Sequence, residues 1–417
     1  MVSFNNVKAY YNQSLNFSKN YTSFEKELIK ENLQARESAE EYEKIIRPTE
    51  EDLDNSSENR NVDSNLKLNS LSALLMDGDN NRVLYEKNGF ERRSMASTTK
   101  IMTCLVALEN GKPNEIVPVS SYEARMPDVQ LNIRTDEEYY LGDLMYSLML
   151  ESHNDVAVAI AEHVGGSVEG CATMMNDRAR SLGCMNTNFI TPNGLDAENH
   201  YSTAEDLAVI ASYAISNDKF VKITNTSTHT FSEIKSGRTF TVSNKNKFLY
   251  MMDGAIGVKT GFTNKAGYCF VGAIKRPDRT LIAVVLGCGW PPSRNLKWTD
   301  TKRLMEYGIN NYERKQIFQK VDLDPIYVQD GQIPYEHVNL SGDMEILLHK
   351  NEKINVYYDL PNVLIAPIEE GTIVGYANYY IDDKPYMEIP IYTEYAVEKI
   401  DFIFCLKNIF RIWGLQY

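Results

Sequence analysis

The chain has 417 residues, of which 43% are apolar and 24% are charged, a balance typical of a globular protein with a sizeable core. That length favours two folded units with tails over a single domain. The formal net charge of -14 at pH 7 argues against nucleic acid as a partner, because phosphate binding requires clustered Lys and Arg. We interpret the acidity as a self-repelling surface.

The six cysteines have neither the spacing of a zinc site nor the density of a disulfide framework. Most of them lie in apolar segments, which predicts small buried side chains. Cys269 and Cys288 fall on consecutive predicted strands, so a disulfide between them stays open. We expect no metal and no cofactor.

Residues 1–64 are polar, and their pattern predicts a weak helix followed by a linker. Their first stretch, MVSFNNVKAYYNQSLNFSKN, has neither the apolar core nor the cleavage site of a signal peptide. No run of about 18 apolar residues anywhere predicts a membrane-spanning helix.

Residues 65–314 alternate between strand and helix patterns in an order that predicts one mixed domain. Structure is predicted to start near Leu66, and LSALLMDGDNNRVLYEKN predicts a hairpin. Helices are predicted in STTKIMTCLVALEN, LGDLMYSLML, DVAVAIAEHVGG, SVEGCATMMNDRARSLG and STAEDLAVIASYAIS. The last opens with a capping box, Ser202-x-x-Glu205. Strands dominate from about residue 228, so the sheet should gather both ends of the domain.

The C-terminal part changes character twice. Residues 315–393 contain short strands separated by turn residues, which predicts a small all-β unit. Residues 394–417 predict an amphipathic helix, with large apolar side chains at helical spacing and basic residues among the rest. We expect residues 396–417 to bind a membrane surface. The alternative is a terminal helix that packs on its own protein.

Candidate chemistry starts in the hydroxyl-rich stretch around Ser97. Residues at positions i and i+3 of a helix share a face, so the Lys100 amine should contact the Ser97 hydroxyl. A serine becomes a nucleophile when a base takes its proton, and a lysine serves if its pKa is lowered. A helix N-terminus also stabilises an oxyanion. Alone, the S-x-x-K pattern occurs often by chance and favours an ordinary helix cap with an ordinary lysine.

Two further motifs follow in order. Ser152-His153-Asn154 lies in a predicted loop between two apolar helices, and Lys259-Thr260-Gly261 lies on a predicted strand. These three elements occur together in serine penicillin-binding proteins and class A β-lactamases. Beyond them, stretches such as ESHNDVAVAIAEHVGGS and GVKTGFTNKAGYCFVGA make residues 66–313 resemble the low-molecular-mass penicillin-binding proteins, which are serine-type D-alanyl-D-alanine carboxypeptidases. The later parts resemble that family's accessory domain and membrane anchor more loosely.

The resemblance implies an α+β fold. Its catalytic domain is β-lactamase/transpeptidase-like, with an antiparallel sheet and helices, and is followed by a small all-β domain and a C-terminal amphipathic helix. The implied substrate is a peptidoglycan stem peptide ending in D-Ala-D-Ala, and β-lactam antibiotics would acylate the same serine. The implied location is the outer face of the cytoplasmic membrane of a bacterium. The missing signal peptide then suggests a start further upstream or a removed export segment.

The resemblance also implies roles for individual residues. Ser97 is the acylated nucleophile, Lys100 accepts its proton, and Ser152 relays a proton between the leaving amine and the lysines. The implied substrate-binding residues are Asn154, Lys259, Thr260, Gly261 and, more weakly, Lys245. The backbone N–H groups of Ser97 and Phe262 are the implied oxyanion hole.

The physical chemistry of this set is coherent without the resemblance. A terminal carboxylate requires a cation and a hydroxyl, which Lys259 and Thr260 supply. Lys259 beside Lys100 would also lower the pKa of the Lys100 amine. The strand that carries these residues could pair with an extended peptide along its edge.

Other polar residues near the motifs have plainer interpretations. His153 is expected to line the cleft and not to act as the base of a triad, because Lys100 already fills that role. His163 and His200 are expected to be structural, and Asp155 to cap the helix that follows.

Three rival functions remain to be weighed. A class A β-lactamase requires a glutamate in an E-x-x-L-N stretch between the second and third motifs, and none is present. A D,D-endopeptidase or transpeptidase of the same fold shares all three motifs. A catalytically weak penicillin-binding sensor or scaffold is the rival from another class.

Overall fold

The computed structural model describes residues 66–318 and 320–412. Within them the chain forms two compact units, one of residues 66–316 with Glu345–Lys350 and one of residues 317–344 with 351–412. The predicted N-terminal helix and linker lie outside the described residues. The strands, in chain order, are β1 Ser72–Asp77, β2 Val83–Lys87, β3 Ile116–Pro118, β4 Glu138–Tyr140, β5 Thr228–Ser232, β6 Thr239–Ser243, β7 Ala255–Thr263, β8 Gly267–Arg276, β9 Arg279–Leu286, β10 Tyr312–Gln316, β11 Ile326–Gln329, β12 Tyr335–Glu336, β13 Val338–Asn339, β14 Glu345–His349, β15 Ile354–Asp359, β16 Val363–Ile365, β17 Ile373–Ile381 and β18 Lys384–Thr393. The helices are α1 Lys100–Asn110, α2 Leu141–Leu150, α3 Asn154–Gly165, α4 Val168–Ser181, α5 Ala204–Ile215, α6 Asp218–Asn225, α7 Leu296–Asn311 and α8 Phe402–Ile412.

The first unit is organised around a five-stranded antiparallel sheet in the order β2-β1-β9-β8-β7. The sheet therefore joins strands from both ends of the unit, as the strand–helix–strand pattern predicted. Its last strand, β7, lies at the edge, so one side of that strand is not paired within the sheet.

Two hydrophobic clusters cover the two faces of this sheet. Every residue of β1 is buried, which requires cover on both sides. Leu74 and Met76 pack into the cluster that contains α1 and α3, whereas Ala73 and Leu75 pack with residues of α7. The alternation of side chains along a strand explains why this uninterrupted apolar run divides between two cores.

The helix boundaries follow local signals, with two corrections. The N-cap of α5 is Thr203, whose hydroxyl accepts from the Asp206 N–H, and not the predicted Ser202. The backbone of Ser202 still pairs with Arg93, so it is extended and precedes the cap. Helix α6 was not predicted, although Asn217 is a typical N-cap residue and its side chain accepts hydrogen bonds from the N–H groups of Lys219 and Phe220.

The cysteines are all free, and the pair left open by the sequence, Cys269 and Cys288, is not bonded. Both thiols are buried. Within residues 66–318 and 320–412, no cluster of His, Cys, Asp and Glu has the arrangement of a metal site. No helix in this part of the chain has the length and apolar character needed to cross a membrane.

The second unit is rich in β structure. Its sheets have the strand orders β12-β11-β16 and β13-β18-β17-β15, and only the β11–β16 pair is parallel among the described strands of this unit. The segment Glu345–Lys350, which lies inside the predicted range 315–393, instead pairs with β10 as β14 in the first unit. Helix α8 follows the last strand, and Phe402 at its start is 78% exposed.

We expect the buried carboxylate of Asp300 to be a major support of the first unit. It accepts hydrogen bonds from the backbone N–H groups of Asn69 (2.7 Å) and Ser70 (2.8 Å) and tethers the entering chain to α7. Asp300→Ala leaves both N–H groups unpaired and should lower the free energy of unfolding by about 3 kcal/mol. Urea denaturation followed by circular dichroism measures the change.

The matched control is Glu306→Ala, on the exposed side of the same helix. It should change the free energy of unfolding by less than about 0.5 kcal/mol. Equal effects of the two substitutions would contradict the role assigned to Asp300.

Candidate active site

The predicted nucleophile lies in a tight turn that precedes helix α1. Ser97 belongs to a 3-10 turn, Ala96–Thr99, and Lys100 is the first residue of α1. Ala96 has a φ of +49°, in the left-handed region that residues with a Cβ seldom adopt. This turn places the Lys100 Nζ 3.0 Å from the Ser97 Oγ, the contact that the i, i+3 spacing predicted.

The Lys100 amine is buried among oxygen atoms. Besides Ser97, it lies 2.8 Å from the Asn154 Oδ1 and 2.6 Å from the backbone oxygen of Asn193. Burial, reinforced by the positive charge of Lys259, holds the pKa of Lys100 well below its usual value, although Asp155 opposes the shift. A neutral amine has two N–H groups, which the two carbonyl oxygens accept, and its lone pair then faces the Ser97 hydroxyl. The geometry is that of a general base beside its nucleophile.

The second motif covers the end of the loop after α2 and Asn154, the first residue of α3. Ser152 has a φ of +73°, and its Oγ is buried without a hydrogen-bond partner in the described part of the chain. Asn154 is held by its backbone N–H, which donates to the Val129 oxygen (2.7 Å), and by its Nδ2, which donates to the Pro127 oxygen (3.1 Å). Its Oδ1 therefore remains directed at Lys100.

The two neighbours of Asn154 differ from expectation. His153 was expected to line the cleft, but it is buried, with its Nδ1 2.7 Å from the Ser147 Oγ and its Nε2 3.4 Å from Glu151. Burial lowers the pKa of His153. Asp155 does not cap α3 from the N-cap position. It accepts from the backbone N–H groups of Leu131 and Asn132, because the loop before it folds back onto the start of the helix.

The third motif lies on the edge strand β7. Lys259 is buried, its Nζ donates to the Thr260 oxygen at 3.0 Å, and burial lowers its pKa to about 7. The Thr260 side chain is half-buried. Phe262 is 37% exposed, and its ring packs against Tyr268 at 4.6 Å between centroids.

Gly261 allows a close approach between β7 and the nucleophile turn. A Cβ at this position would lie 2.9 Å from the Ser97 nitrogen and 3.1 Å from the Ala96 Cβ. The resemblance implied that Gly261 contributes to substrate binding, which stays a prediction. In the structure, the absence of a side chain also lets the turn that carries Ser97 approach the strand, and any larger residue would push Ser97 away.

Lys245, the most weakly predicted site residue, is paired with a carboxylate. Its Nζ lies 2.9 Å from the Glu151 Oε1, and its side chain is 63% exposed. The same carboxylate accepts from the Ser243 N–H and lies beside His153. Glu151 therefore links the second motif to the segment after β6.

Two residues beside Ser97 and Lys100 were not predicted from the sequence. Asn193 supplies the carbonyl that accepts from Lys100, and Gly194, with a φ of +82°, packs against the nucleophile turn. A Cβ on Gly194 would lie 2.1 Å from the Ala96 oxygen. The Asn-Gly dipeptide signals a turn, but nothing in the sequence signals what the turn contacts.

Comparisons with known proteins agree with this fold and site. Residues 58–289 match the family described as D-alanyl-D-alanine carboxypeptidase, and residues 312–399 match the C-terminal domain of penicillin-binding protein 5. The D-alanyl-D-alanine carboxypeptidase DacF of Bacillus subtilis is 31% identical over 359 residues, which are 84% of this chain and 91% of that protein.

Solved structures give the same result. Penicillin-binding protein 5 of Haemophilus influenzae has a TM-score of 0.67 at 26% identity, covering 80% of this chain and 98% of that chain. The DD-transpeptidase of Streptomyces K15 has a TM-score of 0.56 at 32% identity, covering 58% of this chain and 98% of that chain.

The fold and the matched family define a serine peptidase, and the α+β class expected from the sequence is confirmed. More specifically, the chain belongs to the D-alanyl-D-alanine carboxypeptidase family, the group of low-molecular-mass penicillin-binding proteins that its motifs resembled.

Proposed function

We propose that the chain removes the terminal D-alanine from peptidoglycan stem pentapeptides through an acyl-enzyme at Ser97. The observation that carries this proposal is the contact of the buried Lys100 amine, whose pKa is held well below its usual value, with the Ser97 hydroxyl at 3.0 Å. Relatives named D-alanyl-D-alanine carboxypeptidase support the reaction class.

Acylation starts at this pair. Lys100 takes the Ser97 proton while the Oγ attacks the carbonyl carbon of the penultimate D-alanine. The N–H groups of Ser97 and Phe262 stabilise the oxyanion. The proton then reaches the departing D-alanine amine through Ser152, whose buried and unpartnered hydroxyl is suited to this relay. Water attacks the ester while Lys100 accepts its proton, and Lys100 then gives that proton to the Ser97 Oγ as the shortened peptide leaves.

Binding of the substrate uses the third motif and the loop beside it. Lys259, in its protonated form, and the Thr260 hydroxyl bind the terminal carboxylate. The free edge of β7 pairs with the extended peptide, and Asn154 contributes its amide. Lys245 attracts the substrate from the rim, where it is held by Glu151.

A β-lactam would acylate Ser97 by the same route. Its amide bond lies inside a ring, so the amine released on acylation stays attached to the acyl group and cannot diffuse away. Slow hydrolysis of this ester leaves the enzyme labelled with the opened antibiotic.

Two alternatives keep the same site but change the outcome. In a D,D-endopeptidase the leaving amine belongs to a cross-linked peptide, and in a transpeptidase an amine replaces water. Because the structure resembles that of a DD-transpeptidase, both water and an amine should be tested as acceptors of the acyl group. A penicillin-binding sensor or scaffold would be acylated without useful turnover.

The C-terminal segment 396–417 is proposed to hold the enzyme on the outer face of the cytoplasmic membrane. Within the described part of α8, Ile403 is 59% exposed and Ile409 is 48% exposed, and Lys407 and Arg411 are exposed as well. Apolar groups would enter the interface while the cations meet anionic lipid headgroups. The proposed division of the chain is a polar N-terminal segment, 1–64, a catalytic domain, 65–314, a small β-rich accessory domain, 315–393, and the amphipathic helix, 394–417.

Ser97→Ala should abolish both labelling by a fluorescent penicillin and release of D-alanine from a peptide ending in D-Ala-D-Ala, because no other group forms the ester. Gel fluorescence and a D-alanine assay measure the two activities. The control is Ser94→Ala, three positions earlier and outside the turn, which should keep both. Labelling without release in the wild type would favour the sensor; labelling that survives in Ser97→Ala would contradict the assignment of the nucleophile.

The pH profile of kcat/KM should be bell-shaped. Activity rises with pH as Lys100 loses its proton, and falls above about pH 7 as Lys259 loses the charge that binds carboxylate. Lys259→Arg should remove the alkaline limb, because a guanidinium stays protonated. An alkaline limb that is unchanged in Lys259→Arg would show that another group controls it.

Phe402→Ser combined with Ile409→Ser should weaken binding to phosphatidylglycerol vesicles about 100-fold, because two large apolar side chains no longer enter the interface. Sedimentation with vesicles measures the partition. Asn408→Ser on the same helix should bind as the wild type does. Equal binding by all of these variants would exclude α8 as the anchor.

A further inference from the structure

A buried histidine lies directly behind the nucleophile turn and has no part in the mechanism above. The His200 Nε2 is 2.9 Å from the Thr99 Oγ1. Its Nδ1 lies 3.0 Å from the Ile190 nitrogen and 3.4 Å from the Thr191 nitrogen. His200 is only 4% exposed, and Thr99 is fully buried. The imidazole and the Thr99 hydroxyl therefore interact without competition from solvent, whereas Ile190 is 41% exposed.

The chemistry of these partners determines the tautomer of His200. Backbone N–H groups only donate, so the Nδ1 must present a lone pair to Ile190 and Thr191. Burial, with Lys265 as the nearby charge, lowers the pKa of His200 to about 4, so the ring is neutral at pH 7. A neutral ring without a proton on Nδ1 carries it on Nε2. The Nε2–H therefore donates to the Thr99 oxygen.

Thr99 passes this constraint to the peptide group that joins Ala96 and Ser97. Its hydroxyl, which accepts from His200, donates its own proton to the Ala96 oxygen at 2.8 Å. The Ala96–Ser97 peptide bond is trans. A trans peptide is planar, with its C=O and N–H pointing in opposite directions. Fixing the Ala96 oxygen therefore fixes the direction of the Ser97 N–H.

This peptide group needs such a constraint. Ala96 has a φ of +49°, a conformation that persists only where its surroundings enforce it. On one side, Gly194 packs so closely that a Cβ there would lie 2.1 Å from the Ala96 oxygen. On the other side, Gly261 brings β7 against the Ser97 nitrogen. Packing alone leaves the peptide free to rotate slightly, and a directed hydrogen bond limits that rotation.

We propose that His200 and Thr99 are positioning residues that aim the Ser97 N–H into the oxyanion hole. The chain of hydrogen bonds runs from the backbone of residues 190 and 191 through the imidazole and the threonine hydroxyl to the Ala96 oxygen. It rests on the proposed acyl-enzyme function, in which that N–H stabilises the tetrahedral intermediate. Neither residue touches the substrate, so the relay affects the transition state and not binding.

Thr99→Val tests the relay with little change in shape, because it replaces the hydroxyl with a methyl group. It should lower kcat for D-alanine release roughly 10- to 100-fold, approaching the loss of one oxyanion-hole donor, and leave KM within about 2-fold. Thr99→Ser restores the hydroxyl and should restore kcat. Rates are normalised to folded protein by circular dichroism at the assay temperature.

Two substitutions of His200 separate positioning from stability. In His200→Gln, the side-chain amide places an N–H donor where Nε2 lies, so kcat should be largely kept while the melting temperature falls. In His200→Asn, the amide oxygen replaces Nδ1 and supports residues 190 and 191, but no donor reaches Thr99. Its kcat should therefore fall as in Thr99→Val. A purely structural histidine would lower the melting temperature in both and change neither kcat.

The double variant Thr99→Val with His200→Asn should be no slower than Thr99→Val alone, because both changes interrupt one chain. Losses that multiply, or a Thr99→Val enzyme with unchanged kcat, would overturn the proposal. A Thr99→Val enzyme with a raised KM and an unchanged kcat would also overturn the proposal.

A measurement without substrate keeps this test separate from the proposed function. Two-bond ¹H–¹⁵N correlation spectra of the whole chain identify the His200 tautomer, with His200→Gln assigning its signals. A proton on Nε2, and a Ser97 amide signal that shifts in Thr99→Val, support the relay even if the wild type releases no D-alanine. A proton on Nδ1 would overturn the relay even if the enzyme is fully active.

Discussion

The candidate active site depends on a lysine amine that is buried away from solvent. Lys100 lies at the start of α1 with its Nζ enclosed by Ser97, Asn154 and Asn193. Each of these contacts comes from a different part of the chain, so the turn before α1, the start of α3 and the Asn-Gly turn must all assemble before the Lys100 amine is enclosed. Burial is the largest cause of the lowered pKa of Lys100, because removing water penalises the charged form of the amine directly.

This arrangement lowers the stability of the folded state. Lys100 and Lys259 both have a lower pKa in the folded chain than in the unfolded chain. At a pH between the folded-state pKa and the unfolded-state pKa of each lysine, the unfolded chain binds more protons than the folded chain. The free energy of unfolding therefore rises with pH until both lysines are neutral in the unfolded chain as well. Near neutral pH the protein therefore carries an electrostatic penalty, offset by two apolar cores and by buried tethers such as Asp300.

Much of this architecture could be predicted because it depends on local spacing and strand order. The Ser97–Lys100 contact follows from three residues of separation, and the joined sheet follows from where the strands fall along the chain. The Asn193 carbonyl and the His200 ring could not be predicted, since they are 93 and 101 residues from the side chains they contact. The correction at Ser202 has a similar cause: a backbone pair with Arg93 keeps it extended, so the helix cap moves by one residue.

The distribution of thiols has a consequence for how the molecule can be handled. Burial raises the pKa of Cys104 and of Cys269 to about 12, and Cys171, Cys184 and Cys288 are buried as well. A thiol that stays protonated and buried is a poor nucleophile, so we expect these five cysteines to resist oxidation in an oxidising compartment. Cys405 on α8 is exposed. A single thiol-reactive dye can therefore be attached to α8 without mutagenesis. The five buried thiols become reactive only when the core around each of them unfolds.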